Sequence, residues 1–405
     1  VYAGDVGLSN SSTSNLCTTG SLDPDLVRGK IVICERGTNA RVGKGLVVSN
    51  AGGVGMILVN TAESGSELIA DSHLIPATLV GFTDGIAIKA YIAASGANAT
   101  ASITLDGTTE LGVKPAPAMA AFSSRGPNPL PAQILKPDLT GPGVNILAAY
   151  TGTVRPTGLD SDDRIVDFSI MSGTSMSCPH VSGLATLIKS IHPTWSPAAI
   201  KSALMTTASV RDNTGHLITD TLDGETASLF AYGAGHVDPL PAIDPGLVYD
   251  LGLEDYIDFL CSLGYRDGYL EVFTKGEYRC SRPDFSYSDL NYPSFAHVFH
   301  EGDNSNVSFP RTTTNVGNSS ATYNVFVDAP SGVNVKVEPD VLEFDLNHVT
   351  RNYTVTFQLD LAMTRSKFNI LSSKTHTFGS LTWTDGVHIV RSPIAITFQA
   401  REIDN

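Results

Sequence analysis

Residues Met171–Gly183 read MSGTSMSCPHVSG, and this run carries more chemical information than any other part of the chain. A serine at the start of a helix lies beside free backbone N–H groups and the positive end of the helix dipole, which stabilise a nearby oxyanion. The run therefore predicts Ser175 as a nucleophile, with its own N–H as one oxyanion donor. Ser172, Gly173 and Thr174 are expected to line the cleft beside it, and Gly173 leaves room for a substrate carbonyl.

One other interpretation of this run remains open at this point, and another is excluded by the spacing of its glycines. A serine-rich helix cap needs no chemistry, and Gly173, Thr174 and Ser175 alone would favour it. The nucleophile elbow G-x-S-x-G of α/β-hydrolases fails on spacing, because Ser177 occupies the position of the second glycine.

The residues that follow predict a helix over Ser175–Ser190, because small and apolar side chains dominate this stretch. Its composition favours a buried position. We expect Pro179 in the first helical turn, where a missing N–H is tolerated, and Cys178 as a buried structural thiol. A second helix is predicted at Ser196–Thr207, which starts with a serine N-cap followed by a proline.

The composition limits the classes of protein to which the chain can belong. Hydrophobic residues make up 42% of the 405 residues and charged residues 17%, so a folded chain is expected rather than a disordered one. The net charge of −15 repels phosphate backbones, which argues against nucleic-acid binding. No stretch approaches the roughly 18 apolar residues that a membrane span requires.

Three segments with different sequence patterns predict three domains. Residues 1–108 alternate short apolar strands with helices, as in Lys30–Cys34 and Arg41–Asn50, which predicts a βαβ-like unit. Residues 109–285 mix turns rich in Gly and Pro with helical stretches, and they predict an α/β layer. Residues 286–405 contain short β-rich runs separated by turns, which predicts a β-sandwich.

The run Met171–Gly183 resembles the serine motif of the subtilisin-like serine proteases, the subtilases, over all thirteen residues. Further blocks are similar to those of plant subtilases, with Gly141 where the family usually has alanine. These blocks are Ala121–Asn128 (AFSSRGPN), Leu135–Ala149 (LKPDLTGPGVNILAA), Tyr232–Asp250 and Asp289–Phe295 (DLNYPSF). The resemblance implies a protease-associated (PA) domain at 1–108, the C-terminal part of a subtilisin-like α/β catalytic domain with a parallel sheet at 109–285, and a fibronectin type III-like β-sandwich at 286–405.

A serine protease of this kind needs a histidine to take the proton of the serine and an aspartate to orient that histidine. Upstream of Ser175 the chain holds one histidine, His73, which is expected to be structural. His180 lies on the same predicted helix as Ser175 and points about 140° away from it. Three further histidines do not match the catalytic positions of the family: His192, His216 and His236.

The family places its catalytic Asp, its catalytic His and its oxyanion-hole Asn before the inserted domain, so we expect them upstream of Val1. The resemblance implies a serine endopeptidase that hydrolyses peptide bonds through an acyl-enzyme on Ser175, and this chain alone is expected to be inactive. Its expected partners are an N-terminal fragment of the same protease and a polypeptide substrate, and a homodimer is left open. Two rival hypotheses remain: a non-catalytic binding protein with a protease-like shell, and an esterase that uses the same serine.

The five cysteines and the five Asn-x-Ser/Thr sequons favour a secreted protein, which the plant resemblance places in the apoplast or cell wall. Cys17 and Cys34 flank a turn-rich stretch, and Cys261 and Cys280 bracket a similar loop, so two disulfides are predicted, with Cys178 free. The odd count leaves open that all five are reduced and buried. The sequons, which are candidate glycosylation sites, are Asn10, Asn98, Asn306, Asn318 and Asn352.

No metal or cofactor is expected. Asp160, Asp162 and Asp163 form an acidic cluster that matches no calcium loop, and we interpret it as a solvated surface turn. The cysteines lack the CxxC spacing of zinc sites. The chain contains neither a phosphate-binding loop nor a dinucleotide fingerprint.

Overall fold

The computed structural model describes residues 1–399 except 9–11, 105–107, 109, 277–278, 301, 303–305 and 361–374. The chain divides into two compact units. The first comprises Val1–Ser123, Pro142–Pro179 and Arg211–Ala227, and the second comprises Ser124–Gly141, His180–Val210 and Ser228–Asn405. Among the helices of the described residues, none combines the length and the hydrophobicity that crossing a membrane requires.

The first unit opens with a three-stranded parallel sheet and its helices. The elements are α1 (Pro24–Val27), β1 (Ile31–Glu35), α2 (Arg41–Asn50), β2 (Gly55–Val59), β3 (Ala77–Val80) and α3 (Phe82–Ser95). The strand order is β1-β2-β3, and both strand pairs are parallel. Strand β2 is buried along its whole length, as its unbroken apolar sequence predicts for a parallel sheet. The expected α/β class is confirmed here.

Helix α2 buries one charged residue beside the sheet. Lys44 is fully buried, and its ammonium donates to the Leu16 carbonyl at 2.6 Å, the Gly37 carbonyl at 3.0 Å and Asn39 Oδ1 at 2.6 Å. Three acceptors match the three N–H groups of an ammonium, so the buried charge is satisfied. The helix ends where Gly52 adopts a φ of 82°, a conformation that favours glycine.

The same unit carries the hairpin that leads to Ser175. Strands β4 (Ile146–Ala149) and β5 (Phe168–Met171) pair antiparallel, with Ile146 opposite Met171. Helix α4 (Thr174–Ile191) follows β5 after two residues and continues from the first unit into the second.

The second unit combines helices with a β-sandwich. Its further helices are α5 (Pro197–Thr206), α6 (Leu229–Tyr232), α7 (Pro239–Ile243), α8 (Leu253–Ser262) and α9 (Asp267–Thr274). Helix α5 begins where the sequence predicts, because the Ser196 hydroxyl accepts a hydrogen bond from the Ala199 N–H at 3.0 Å.

The predicted C-terminal β-sandwich is confirmed. Its strands are β6 (Leu247–Val248), β7 (Phe295–His300), β8 (Val307–Asn315), β9 (Ala321–Asp328), β10 (Val333–Glu338), β11 (Val341–Phe344), β12 (Thr350–Leu359), β13 (Thr375–Thr384) and β14 (Ile389–Gln399). One sheet has the order β10-β12-β8-β6 and the other β11-β9-β13-β14-β7. Apolar side chains from both sheets meet around the fully buried Trp383, whose ring lies 5.1 Å from that of Tyr353.

Helix α4 differs from its prediction in three respects. We expected a buried helix, but among its residues Ile188 is the one buried side chain. Cys178, expected to be buried, is exposed. Pro179 lies inside the helix rather than in its first turn. The composition of α4 is that of a buried helix, but no element of the described residues covers most of its surface.

Candidate active site

The turn between β5 and α4 presents Ser175 at the start of the helix. Ser175 is the second residue of α4, and it is exposed. The Gly173 N–H donates to the Gly143 carbonyl at 2.8 Å, and the Met176 N–H donates to the Gly173 carbonyl at 3.0 Å. The serine hydroxyl therefore lies at a helix N-terminus, where backbone N–H groups and the dipole favour a negative charge.

Gly173 lies in this turn, Gly143 is bonded to it, and the two glycines have different steric roles. A Cβ at Gly143 would lie 2.3 Å from Ser177 Oγ and 2.9 Å from the Gly173 carbonyl oxygen, so no larger residue fits there. A Cβ at Gly173 would approach no atom of its surroundings more closely than 3.7 Å. The space beside Gly173 is therefore open, which suits the close approach of a substrate carbonyl to the backbone.

Ser172 is hydrogen-bonded to Asn145, the residue before β4. The Asn145 N–H donates to Ser172 Oγ at 2.7 Å, and the Ser172 hydroxyl donates to Asn145 Oδ1 at 3.2 Å. The Ser172 hydroxyl thus already has partners, whereas Thr174 is exposed beside Ser175. Of the residues expected to line the cleft, Ser172 holds the turn in place through its hydrogen bonds. Gly173 and Thr174 lie on the side of the turn that faces open space.

The proline inside α4 acts on the backbone of Ser175. Proline has no N–H, so the carbonyl four residues before Pro179 loses its regular helical partner, and that carbonyl belongs to Ser175. The first turn of α4 is therefore held at Ser175 by one backbone hydrogen bond fewer than a regular helix would supply.

Among the described residues, the Ser175 hydroxyl has no hydrogen-bond partner. His73 Nδ1 is buried without a partner, and burial lowers the pKa of this imidazole. His192 stacks on Trp195 with ring centroids 4.0 Å apart and contacts the Ile243 carbonyl at 2.8 Å. His216 contacts Thr214 Oγ1 and His236 contacts the Val237 carbonyl. These contacts give each of the last three imidazoles a structural role.

In the acidic cluster, Asp162 differs from the expected solvated surface turn. This residue is 1% exposed, and its carboxylate accepts hydrogen bonds from Thr157 and from the Arg164 backbone and guanidinium. The Arg164 guanidinium, followed by Thr157, holds the pKa of Asp162 well below its usual range. Asp160 does lie on the surface, paired with Arg155. Within the described residues, no group of three or more His, Cys, Asp or Glu side chains could hold a metal ion.

Two of the motif blocks meet in the second unit. The Asp138 carboxylate of LKPDLTGPG accepts a hydrogen bond from the Tyr292 hydroxyl of DLNYPSF, and Lys136 Nζ contacts Asp138 at 2.7 Å. Lys136 and Lys201 lie over the Tyr292 ring at 5.3 and 5.4 Å from its centroid. Burial, with the neighbouring Asp138 charge, raises the pKa of Tyr292. The motifs themselves pointed to these residues, but their spacing did not reveal that they pair.

Arg311 of β8 also holds the DLNYPSF segment, through hydrogen bonds to its backbone carbonyls. Its buried guanidinium donates to the Ser288 carbonyl at 2.7 Å, the Tyr292 carbonyl at 3.0 Å and the Ser294 carbonyl at 3.3 Å. Burial lowers the pKa of Arg311 to about 10. No sequence signal marked this residue, because a single arginine in a predicted strand is normally expected on the surface.

The cysteines form two disulfides, Cys17–Cys34 and Cys261–Cys280, and Cys178 is free. Four of the five sequon asparagines are exposed, and the fifth, Asn10, lies outside the described residues. The exposed ones are Asn98, Asn306, Asn318 and Asn352.

Comparison with known proteins assigns a family to each part of the chain. Residues 2–88 match the PA domain, residues 47–235 the subtilase family, and residues 289–396 a fibronectin type-III domain. The chain is 52% identical to subtilisin-like protease SBT1.7 and 50% identical to subtilisin-like protease SBT1.6, both of Arabidopsis thaliana, over 98% of its own length. It spans about half the length of these curated relatives, 51% in each case.

The subtilase match includes Ser175, and the fibronectin match agrees with the two-sheet C-terminal domain. The parallel sheet of the first unit lies within the residues that match the PA domain. The sandwich around Trp383 corresponds to the residues that match the fibronectin type-III domain. The chain therefore belongs to the subtilisin-like serine protease family, with a PA domain and a fibronectin type III-like domain beside its subtilase segment.

Proposed function

We propose that this chain forms part of a serine endopeptidase that cleaves peptide bonds through an acyl-enzyme on Ser175. The observation that carries the proposal is the exposed Ser175 hydroxyl at the N-terminus of α4, next to the open side of Gly173. A base takes the serine proton as Oγ attacks the scissile carbonyl, and the Ser175 N–H donates to the oxyanion. The protonated base then gives its proton to the leaving amine, and water repeats the sequence to release the acyl group.

The base is proposed to come from a segment upstream of Val1 that also supplies the orienting Asp and the oxyanion-hole Asn. Apolar side chains of the hairpin beside the nucleophile support this proposal, because Leu147 is 67% and Phe168 65% exposed. In the second unit, α4 and α5 line an open cavity of about 940 Å³ with Val181, Ala185, Ile200, Leu204 and Trp195 among its walls. Apolar surface of this kind marks a site that another segment covers.

A fluorophosphonate probe tests the nucleophile and the source of the base separately. A serine hydroxyl needs a positioned base, and loss of the base alone costs on the order of 10⁶ in turnover, a magnitude that comes from subtilisin itself. We expect weak labelling of the 405-residue chain and strong labelling of protein that includes the upstream segment. Ser175→Ala should abolish the labelling, and Ser182→Ala, which removes another exposed hydroxyl from α4, should retain it.

Two outcomes would contradict the proposal. If protein with the upstream segment does not label, Ser175 is not the nucleophile of a working protease. If the 405-residue chain labels rapidly, a base lies within it, and His73→Ala becomes the next variant to test. Hydrolysis of casein beside a nitrophenyl ester separates the endopeptidase from the esterase hypothesis. An intact mass that reveals a co-purifying N-terminal fragment argues against a non-catalytic binding protein.

We also propose that the protein is secreted and glycosylated. The four exposed sequon asparagines and the two disulfides support this proposal, because glycans need accessible loops or edges and disulfides persist in oxidising compartments. Peptide N-glycosidase treatment of natively sourced protein should change the mass at two or more of these sites. An unchanged mass would count against secretion through this pathway. A homodimer remains a proposal for sedimentation analysis.

A further inference from the structure

Asn145 contacts two separate parts of the first unit. Its side-chain Oδ1 accepts a hydrogen bond from the Ala70 N–H at 2.8 Å, and its Nδ2 donates to the Leu68 carbonyl at 3.1 Å. This pairing with alternate backbone groups is the one that a neighbouring β-strand would make. The same residue bonds Ser172 through its N–H and its Oδ1. One side chain thus joins the PA-domain segment around Ala70 to the turn that carries Ser175.

The backbone at Asn145 fixes this geometry. Its φ is 53°, in the left-handed region that asparagine tolerates better than other non-glycine residues. Gly143, two residues earlier, accepts the Gly173 N–H. The chain from Gly143 to Asn145 therefore bonds both residues between β5 and α4, and Asn145 is the one of the two that also reaches the PA segment.

The PA segment has a second anchor that does not involve the nucleophile turn. Arg164 Nη2 donates to the Ser72 carbonyl at 2.6 Å, and Arg41 forms an ion pair with Asp71 at 2.5 Å. Between the two anchors, the segment and the β4–β5 hairpin line an open cavity of about 290 Å³. The position of this segment therefore depends on Asn145 at one end and on Arg164 at the other.

We propose that Asn145 is a positioning residue that couples the PA segment at Leu68–Ala70 to the reactivity of Ser175. Displacement of the segment breaks the hydrogen bonds from Ala70 and Leu68 to the Asn145 side chain. Oδ1 then loses the Ala70 N–H, and its hydrogen bond with Ser172, three residues before Ser175, changes. The part of the inference that concerns reactivity rests on the proposed function. The coupling between segment and turn is a structural property that is measurable without it.

Three variants separate the contacts of Asn145. Asn145→Gly keeps the left-handed backbone and the N–H bond to Ser172 but removes both side-chain groups. Asn145→Asp keeps the acceptor for the Ala70 N–H and loses the donor to Leu68. Arg155→Gln is the matched control, because its guanidinium pairs with Asp160 in the same β4–β5 connection.

Amide hydrogen exchange of the 405-residue chain reports on the coupling without any catalysis. In Asn145→Gly we expect the Ala70 amide, which loses its acceptor, to exchange about tenfold faster, the effect of losing one hydrogen bond of ~1.4 kcal/mol. The Gly173 amide keeps its bond to the Gly143 carbonyl, and we expect it to exchange measurably faster because the neighbouring Ser172 loses its Oδ1 acceptor. Asn145→Asp should retain most of the protection at Ala70, and Arg155→Gln should leave both amides at the wild-type rate. Faster exchange at Ala70 with Gly173 unchanged, or no change at either amide, would overturn the coupling.

Labelling of Ser175 in protein with the upstream segment tests the consequence for reactivity. Asn145→Gly should label several-fold more slowly than wild type at an unchanged melting temperature, with partial rescue in Asn145→Asp. Labelling at the wild-type rate would refute the reactivity part of the inference. If wild type itself does not label, the proposed function fails, and the exchange experiment still decides the coupling.

Discussion

Replacement of His388 by glutamine should remove a pH-dependent part of the stability of the second unit. His388 is 9% exposed, with Asp385 Oδ2 2.8 Å from Nδ1 and Asp244 Oδ2 3.3 Å from Nε2. The Tyr323 hydroxyl also faces the ring at 3.3 Å. Burial alone would lower the pKa of His388, but the hydrogen bonds to Asp385 and Asp244 raise it above its ordinary value.

The sign of the effect follows from the raised pKa. The folded state binds the proton more tightly than the unfolded state, so the stabilisation is complete below pH ~6.5 and is lost as pH rises through the folded pKa. On the acid side, burial would raise the pKa of Asp385, but the His388 backbone and ring lower it to about 2. Stability from Asp385 is therefore present above its unfolded pKa of ~3.9 and is lost as pH falls through about 2.

The expected magnitude is ~2 kcal/mol. A hydrogen bond to a charged partner contributes ~1.5–3 kcal/mol, and the Asp385 carboxylate is only 10% exposed. The Asp244 carboxylate is 68% exposed, so solvent screening leaves its contribution small. For a cooperative unit of about 200 residues, ~2 kcal/mol corresponds to a change of ~4–8 °C in melting temperature.

Thermal unfolding of wild type, His388→Gln and His348→Gln between about pH 4 and 9 tests this reasoning. Wild type should become less stable as pH rises from about 6 towards 9, and His388→Gln should be less stable at pH 6 with a flatter profile. His348 also pairs with an aspartate, Asp345 at 3.0 Å, but its side chain is 58% exposed, so its variant should follow the wild-type curve. A wild-type melting temperature independent of pH over this range would refute the argument.

Three further predictions concern contacts of the second unit and the cysteines. Tyr292→Phe removes the hydrogen bond to Asp138 and should lower the free energy of unfolding by ~1–2 kcal/mol in urea titrations, with Tyr269→Phe on the exposed face of α9 as an unaffected control. Arg311→Met leaves three or more buried carbonyls without a donor and should cost at least ~3 kcal/mol in the same assay; a smaller loss would mean that water replaces the guanidinium. Non-reducing peptide mapping should find Cys178 as the free thiol, and a disulfide at Cys178 would contradict the pairing seen here.

The parts of the fold that the sequence predicts best are those with a local signal. The strand at β1 and the helix at α2 follow from apolar patterns with glycines near their ends, and both lie within one residue of the predicted Lys30–Cys34 and Arg41–Asn50. The sequence pattern does not indicate strand β14, because Pro393 lies in a buried central strand and proline normally occurs in edge strands. Lys44 shows the same limit, since the three acceptors around its ammonium come from residues that periodicity does not connect.

The candidate site likewise contains a part with a local sequence signal and a part that depends on long-range contacts. The turn at Ser175 is encoded by neighbouring residues, so its position at a helix start could be predicted. Asn145 could not be assigned a role, because its partners at Leu68 and Ala70 lie more than seventy residues away in the chain. Long-range hydrogen bonds to backbone groups leave no compositional trace, since any residue type supplies the same N–H and carbonyl.

The error at helix α4 has a different cause, and it bears on the function. Hydropathy predicts that a surface should be buried but not what covers it, and in α4 the described residues bury Ile188 fully and Val181, Leu184 and Ala185 in part. Exposed apolar surface costs about 25 cal/mol per Å² relative to burial, so a segment that packed on this helix would stabilise it. The Leu147 and Phe168 side chains of the hairpin before Ser175 are exposed in the same way. A segment that covered the Leu147 and Phe168 side chains would pack on the hairpin before Ser175, and the base of the proposed protease would need to lie near this serine.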